Sequence, residues 1–327
     1  MIKFFRQSYA IQYVVVALMA IALWIPAFIS GKASTAWDDP LIPIFNIVDR
    51  LLSFSFIAQY AFAFVLLVLE TLLFNAIMVN NQIVGKVSVM GAFVFVLLMS
   101  LTCTQTNFYP FALSVLFILL SISNLFDVYQ LPNPELKLLK AGGFVALASL
   151  CYFPSILLIL WVIIVLPIAK KGSLRLQLIP VFGFLFVYFL YFVGVFLFGD
   201  LQSLLMAYRD YFSSIKLSVE GFNLKIIGLL VALIISAILL LFGGNNAGFE
   251  KTIAVRTKIS MTIIMAFFAL LLLFLGGNVL MNGLIFIVLS ILVSYAFSYI
   301  GNTGWANLFL AVFLVLVFAN HYYFKLL

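Results

Sequence analysis

Asp38 and Asp39 are the residues best suited to chemistry in this sequence, two adjacent carboxylates in a polar stretch that follows the first apolar run. An acid beside a membrane surface can serve as a general base or hold a divalent cation, the one cofactor the sequence suggests. A transferase needs such a group to take the proton of an acceptor hydroxyl while a lipid phosphate departs. The same side chains can instead cap a helix beginning near Pro40 and favour its positive end. A second polar stretch carries Arg209, Lys216 and Lys225. These cations could bind the phosphate of a polyprenyl carrier at headgroup level, or pair with Asp210, Glu220 or anionic lipid heads.

Glu70 is the one charged residue well inside an apolar run. A charge there costs at least about 2.5 kcal/mol and usually faces a cavity or a partner, so Glu70 could couple protons or bind substrate. It also stands roughly two or three turns from Asn80-Asn81, so partial escape to the interface is the competing reading. Few other reactive groups exist. His321 is the sole histidine, which excludes a histidine-based triad or a multi-histidine metal site. Cys103 and Cys151 lie in separate apolar runs without ligand spacing. The cluster Thr102, Thr104, Gln105, Thr106 and Asn107 could line a site or simply turn the chain. No glycine pair is followed by the lysine and hydroxyl of a phosphate-binding loop, which argues against nucleotide-driven transport.

The elements that must position these residues are membrane spans. The chain has 327 residues, of which 66% are hydrophobic and 8% charged, against roughly 25% charge in an ordinary globular domain. That composition excludes a soluble enzyme and a nucleic-acid-binding protein. A bilayer core of about 30 Å takes about 20 apolar residues as a helix. Such runs cover Ala10 to Ile29, Leu51 to Val79, Val87 to Thr104, Phe108 to Phe126, Leu174 to Phe198, Leu224 to Phe242, Ile259 to Leu275, Met281 to Ser298 and Trp305 to Asn320. The first resembles a signal peptide but is longer than a typical h-region and is followed by more spans, so a retained helix is expected. The stretch from Ala141 to Ala169 is too long for one straight crossing. Pro154 biases Phe153 away from helical geometry, so a hairpin of Ala141–Tyr152 and Pro154–Ala169 is expected. A single tilted or kinked helix is the alternative.

Charge orients this arrangement. Lys3 and Arg6 make the N-terminus cytoplasmic, and with the hairpin counted as two helices Lys86, Lys137, Lys140, Lys170, Lys171, Arg175, Lys251, Arg256 and Lys258 share that face. The net charge of +7 therefore needs no acidic ligand. The expected fold is an all-α integral membrane protein of about eleven transmembrane helices, a single domain over residues 1–327 with no soluble domain. Two outer loops remain. In Gly31–Arg50, Leu41, Ile44, Phe45, Val48, Leu51 and Leu52 recur at helical spacing, with Asn46, Asp49 and Arg50 facing the other way. In Gly199–Asn223, Leu201, Leu204, Leu205, Tyr208 and Phe212 form a second stripe, with Gln202, Arg209 and Asp210 off it. Both predict short amphipathic helices on the outer surface.

Between Phe111 and Tyr188, the runs Leu116-Phe117-Ile118-Leu119-Leu120, Val145 to Phe153, the basic turn Lys170-Lys171 and Leu178 to Phe184 are similar to an uncharacterised family of polytopic inner-membrane proteins of the Bacteroidetes. Some of its members are labelled beta-carotene monooxygenase. That reaction needs a histidine-rich iron site, which this sequence lacks. The resemblance implies a bacterial inner-membrane location and carries over no functional residues. More distantly, three features give a layout similar to membrane glycosyltransferases that use polyprenyl-phosphate sugars, and to polysaccharide polymerases. These are an acidic first outer loop with a surface helix, a mid-chain hairpin and a many-helix body without a nucleotide domain. The expected function is thus cell-envelope biogenesis, with a lipid-linked sugar transferred at the outer face and polyprenyl phosphate among the lipid partners. In that reading Asp38 or Asp39 is base or metal ligand, and Arg209 and Lys216 hold the lipid phosphate. Two alternatives stand beside it: a non-enzymatic scaffold of an envelope complex, and a transporter or flippase using Glu70.

Overall fold

A computed structural model describes residues 2–7, 9–30, 39–85, 88–100, 108–129, 131–214, 253–274, 283–299, 303–319 and 322. The expected span Leu224 to Phe242 lies outside the described residues, as do Asp38, Lys216, Lys225, His321, Cys103 and the cluster Thr102 to Asn107. Among the described residues the regular elements are all helical. They are α1 (Ile2–Phe5), α2 (Ala10–Ser30), α3 (Pro43–Leu52), α4 (Phe56–Asn80), α5 (Met90–Met99), α6 (Pro110–Val128), α7 (Glu135–Cys151), a 3-10 turn (Phe153–Leu157), α8 (Leu158–Ile168), α9 (Leu174–Phe198), α10 (Leu201–Ser214), α11 (Ile253–Phe274), α12 (Leu284–Tyr299) and α13 (Thr303–Ala319). Five of them, α2, α4, α6, α9 and α11, are long and apolar enough to cross a membrane. The chain is a membrane-embedded helical protein.

The core gathers around α5. All ten of its residues are buried, so a helix that is apolar on every side sits inside the bundle rather than on its edge. The span expected over Val87 to Thr104 is helical only from Met90 to Met99 within the described residues. At one end of the bundle, here the proximal end, the chain start is pinned. The Val89 amide and the Ser88 hydroxyl donate to the Phe5 carbonyl at 3.0 and 3.2 Å. The Arg6 guanidinium donates to the Phe297 carbonyl at the end of α12, 2.8 Å from Nη2.

The middle of the chain forms the expected hairpin. Tyr152 is extended, with φ −144° and ψ 101°, and ends α7 just ahead of Pro154. The Trp161 indole of the returning α8 donates to the Met261 carbonyl of α11 at 3.0 Å. Lys171, just beyond α8, then donates from Nζ to the Leu131 carbonyl, just before α7, at 2.9 Å. Arg175 at the start of α9 pairs with Glu135 at the start of α7 at 3.0 Å. The chain has therefore returned to the end it left, and α7 and α9 run parallel. α8 stops with Lys170 in the left-handed region, φ 59°. There the Lys170 and Lys171 amides turn back onto the Pro167 and Leu166 carbonyls, both at 3.0 Å. Glycine is the residue such a stop favours. Lys170→Gly is accordingly expected to raise stability by about 0.5–1 kcal/mol, read as a higher thermal midpoint in detergent.

Close contact between α7 and α9 depends on missing side chains. A Cβ on Gly142 would fall on the Pro180 carbonyl, and one on Gly183 would fall on the Leu139 carbonyl. Further along, the Ser149 and Tyr188 hydroxyls meet at 2.8 Å. Small residues that let backbones approach are a common basis of helix association in lipid.

Candidate functional site at the distal end

The end opposite α1 carries α3, the α7–α8 turn and α10. α3 begins with Pro43 at its first position, where the missing amide hydrogen costs nothing. Asp39 lies just ahead of it. Its Oδ1 accepts the Leu41 amide at 2.9 Å, and its carbonyl accepts the Ile42 amide at 3.2 Å and the Asn46 side-chain amide at 2.7 Å. Asp39 therefore organises the approach to α3, as the capping reading expects, while the residue itself stays exposed. Phe45 is fully buried and stacks on Phe108 with ring centroids 4.8 Å apart.

The face of α3 differs from the expected stripe. Leu51 is 69% exposed, whereas Asp49 is 6% exposed and lies against α4. Its Oδ1 accepts the Gln59 side-chain amide at 3.0 Å. A carboxylate given such a donor can turn inward, and apolar spacing alone could not reveal a partner ten residues away.

α10 is amphipathic as expected. Leu204 is buried, Tyr208 is half-buried, and Arg209 and Asp210 are exposed. Its inner side rests on the hairpin turn. The Phe153 ring meets Tyr211 edge-on at 4.8 Å and Tyr208 at 5.3 Å. Phe192 of α9 stands 6.2 Å from both Tyr208 and Tyr188. The approach to α3 and α10 converge at this end. Burial, and then the nearby Asp39 carboxylate, push the Tyr211 phenol above the ordinary tyrosine range. The Tyr208 phenol is pushed up by burial first, then by Tyr188, Tyr191 and Asp39. Its hydroxyl is buried and lies beside the Tyr188 hydroxyl.

Asp39 thus lies within electrostatic reach of Tyr208 and Tyr211, whose rings rest on Phe153, an arrangement that sequence reading missed. The signal was present in the three aromatics Tyr208, Tyr211 and Phe212 on a short polar helix. Their common neighbour, Phe153, is remote in sequence. Arg209 shares α10 with the tyrosines but faces solvent. Glu70 is elsewhere, 2% exposed on the inward face of α4, so it does not reach the interface. Among the described residues no three histidine, cysteine, aspartate or glutamate side chains gather as a metal site. Toward the proximal end, a cavity of about 180 Å³ is lined by Tyr13, Asn75, Asn80 and Ser88 among others.

No protein-family model matches the chain, and neither a curated protein nor a solved structure matches it.

Proposed function

We propose that this chain is a bacterial inner-membrane protein of cell-envelope biogenesis that transfers a sugar from a polyprenyl-phosphate carrier at the outer face. In this proposal the proximal end is cytoplasmic and the distal end external, with eleven spans. Lys137, Lys171, Arg175 and Lys258 support that orientation, because each is tied to or lies near proximal groups. The resemblance to the Bacteroidetes inner-membrane family supports the location.

One observation carries the function. Asp39 and the tyrosines of α10, from two segments far apart in sequence, come within electrostatic reach of each other at the distal end, where the tyrosine rings rest on Phe153. An aromatic wall with a few placed polar groups is the usual make-up of a small-molecule site. A lipid carrier meets it from the side, with its chain in the bilayer and its phosphate at headgroup level. Asp39, or Asp38 beside it, takes the proton of the acceptor hydroxyl. The acceptor oxygen bonds to the anomeric carbon, the bond from that carbon to the phosphate oxygen breaks, and the phosphate leaves on the polyprenyl chain. Arg209, Lys216 and Lys225 are assigned to the phosphate as it gains charge. Asp38 and Asp39 are also the residues that would hold a divalent cation.

The test replaces Asp38 and Asp39 together by asparagine and compares envelope glycans and lipid-linked sugars with wild type and a deletion strain, at equal protein levels in the membrane. The expected outcome is that the variant reproduces the deletion defect and accumulates a sugar carrier. A deletion defect that the variant lacks removes the two acids from catalysis. Unchanged glycans in both strains overturn the transferase and favour the scaffold.

A further inference from the structure

α4 buries four polar side chains on its inward face: Gln59, Glu70, Thr71 and Asn75. Three of them have partners. Gln59 donates to Asp49, the Thr71 hydroxyl donates to the Leu67 carbonyl at 2.7 Å, and Asn75 donates to the Tyr13 hydroxyl and accepts the Ala92 amide. Glu70 is the exception. It stands about 21 Å along α4 from Phe56 and about 15 Å from Asn80, and its Oε1 is buried without a hydrogen-bond partner. Tyr109, just ahead of α6, is 7% exposed, and its hydroxyl is likewise buried and unpartnered. The two lie within electrostatic reach of each other.

Their surroundings offer no countercharge among the described residues packed there. α5 brings only apolar side chains from Met90 to Met99. α6 brings Ser114, whose hydroxyl is used on the Phe111 carbonyl at 2.9 Å. α2 brings Tyr13, held by Asn75, and α3 brings Asp49, held by Gln59. Tyr152, at the end of α7, is the next titratable group beyond Tyr109.

We propose that Glu70 and Tyr109 form a site inside the membrane for one positive charge, a proton or an alkali cation, held between two oxygens that have no partner among the described residues. Buried polar groups in folded proteins almost always have partners, and the exceptions call for a ligand or a working role. Ionisable residues within spans cluster on ion and proton pathways. One carboxylate with one positive charge is neutral, the state an apolar surround accepts. The site is independent of the outer-face reading and stands whether or not the chain transfers sugars.

Purified full-length protein is treated with dicyclohexylcarbodiimide, a lipid-soluble reagent that adds to a protonated carboxyl, and the adduct is located by peptide mass spectrometry. The expected result is labelling at Glu70, absent in Glu70→Gln. Protection by sodium but not by choline identifies an alkali-cation site. Labelling that ignores sodium and declines as pH rises identifies a proton site. Tyr109→Phe is expected to raise the sodium concentration for half-protection about ten-fold, or to move the pH of half-labelling by about one unit. An unlabelled Glu70, or labelling indifferent to pH, sodium and Tyr109, would overturn the proposal. Glu70→Gln and Tyr109→Phe must both elute as wild type on size exclusion, which separates loss of the site from loss of the fold.

Discussion

Gly142→Val is expected to leave little folded protein in the membrane, while Gly143→Ala, one residue on, is expected to be nearly neutral. The two glycines look alike in sequence, yet their surroundings differ. The first Cβ atom at Gly142 already collides with the Pro180 carbonyl, and the obstacle is backbone rather than a side chain that can swing away. The parallel helices α7 and α9 would have to separate along a contact that also holds the Glu135–Arg175 and Ser149–Tyr188 pairs. Ordinary overpacking costs about 1–3 kcal/mol, and a clash of two backbones belongs at or beyond the upper end of that range. Total stabilities of about 5–15 kcal/mol leave little margin for such a loss. A Cβ at Gly143 would instead meet Val187 Cγ2 at 3.7 Å, an ordinary contact. Gly194, with nothing within 4 Å, supplies the control, because alanine there is expected to gain about 0.5–1 kcal/mol of helix stability. Thermal midpoints in detergent and the monodisperse fraction on size exclusion check all three. Equal behaviour of Gly142→Val and Gly143→Ala would contradict the α7–α9 packing.

Asp39→Asn is expected to lower transfer by about 10²–10⁴-fold while leaving the fold intact, the usual range for removal of a general base. Asparagine is the informative choice because it separates the hydrogen bonding that Asp39 makes at the start of α3 from the base that it is proposed to be. Its Oδ1 holds the Leu41 amide at 2.9 Å. The asparagine carbonyl can accept that same hydrogen bond, and asparagine is as good a capping residue as aspartate. The amide cannot take the proton of an acceptor hydroxyl. If Asp39 only organises the start of α3, Asp39→Asn is silent and Asp39→Ala costs about 1 kcal/mol of stability. The readout is the amount of lipid-linked sugar per unit of membrane-inserted protein. Tyr211→Phe keeps the ring on Phe153 and removes only the hydroxyl, so a much smaller effect is expected from it.

Several of these features could be read in the sequence because they depend on neighbours along the chain. Pro154 marked the hairpin turn, and the turn lies beside it. The stripe Leu201, Leu204, Leu205, Tyr208 and Phe212 marked α10, and Leu204 is buried there while Leu205 and Phe212 are exposed. Other features depend on pairings between remote segments and left no local trace. Nothing around Gly142 signals that Pro180 lies against it. Asp49 looked outward by apolar spacing until Gln59 supplied its donor. The burial of α5 on every side follows from its neighbours, since its composition suits a lipid-facing span equally well. Glu70 was conspicuous as a charge in an apolar run, but only the packing of α4 against α5 and α6 shows that it cannot reach the interface. At the distal end Asp39 and the tyrosines were each visible. That Asp39 lies near tyrosines resting on Phe153 was not, because the hairpin that supplies the floor lies between them in sequence.

The most direct measurement is binding of polyprenyl phosphate to the purified full-length protein in lipid nanodiscs, followed by native mass spectrometry. A single carrier lipid is expected to be retained per chain in preference to an anionic phospholipid. Asp39→Asn is expected to leave that retention unchanged, and joint replacement of Arg209, Lys216 and Lys225 by alanine to weaken it. Retention no better than that of the phospholipid, or unaffected by loss of the three cations, would contradict the outer-face carrier site.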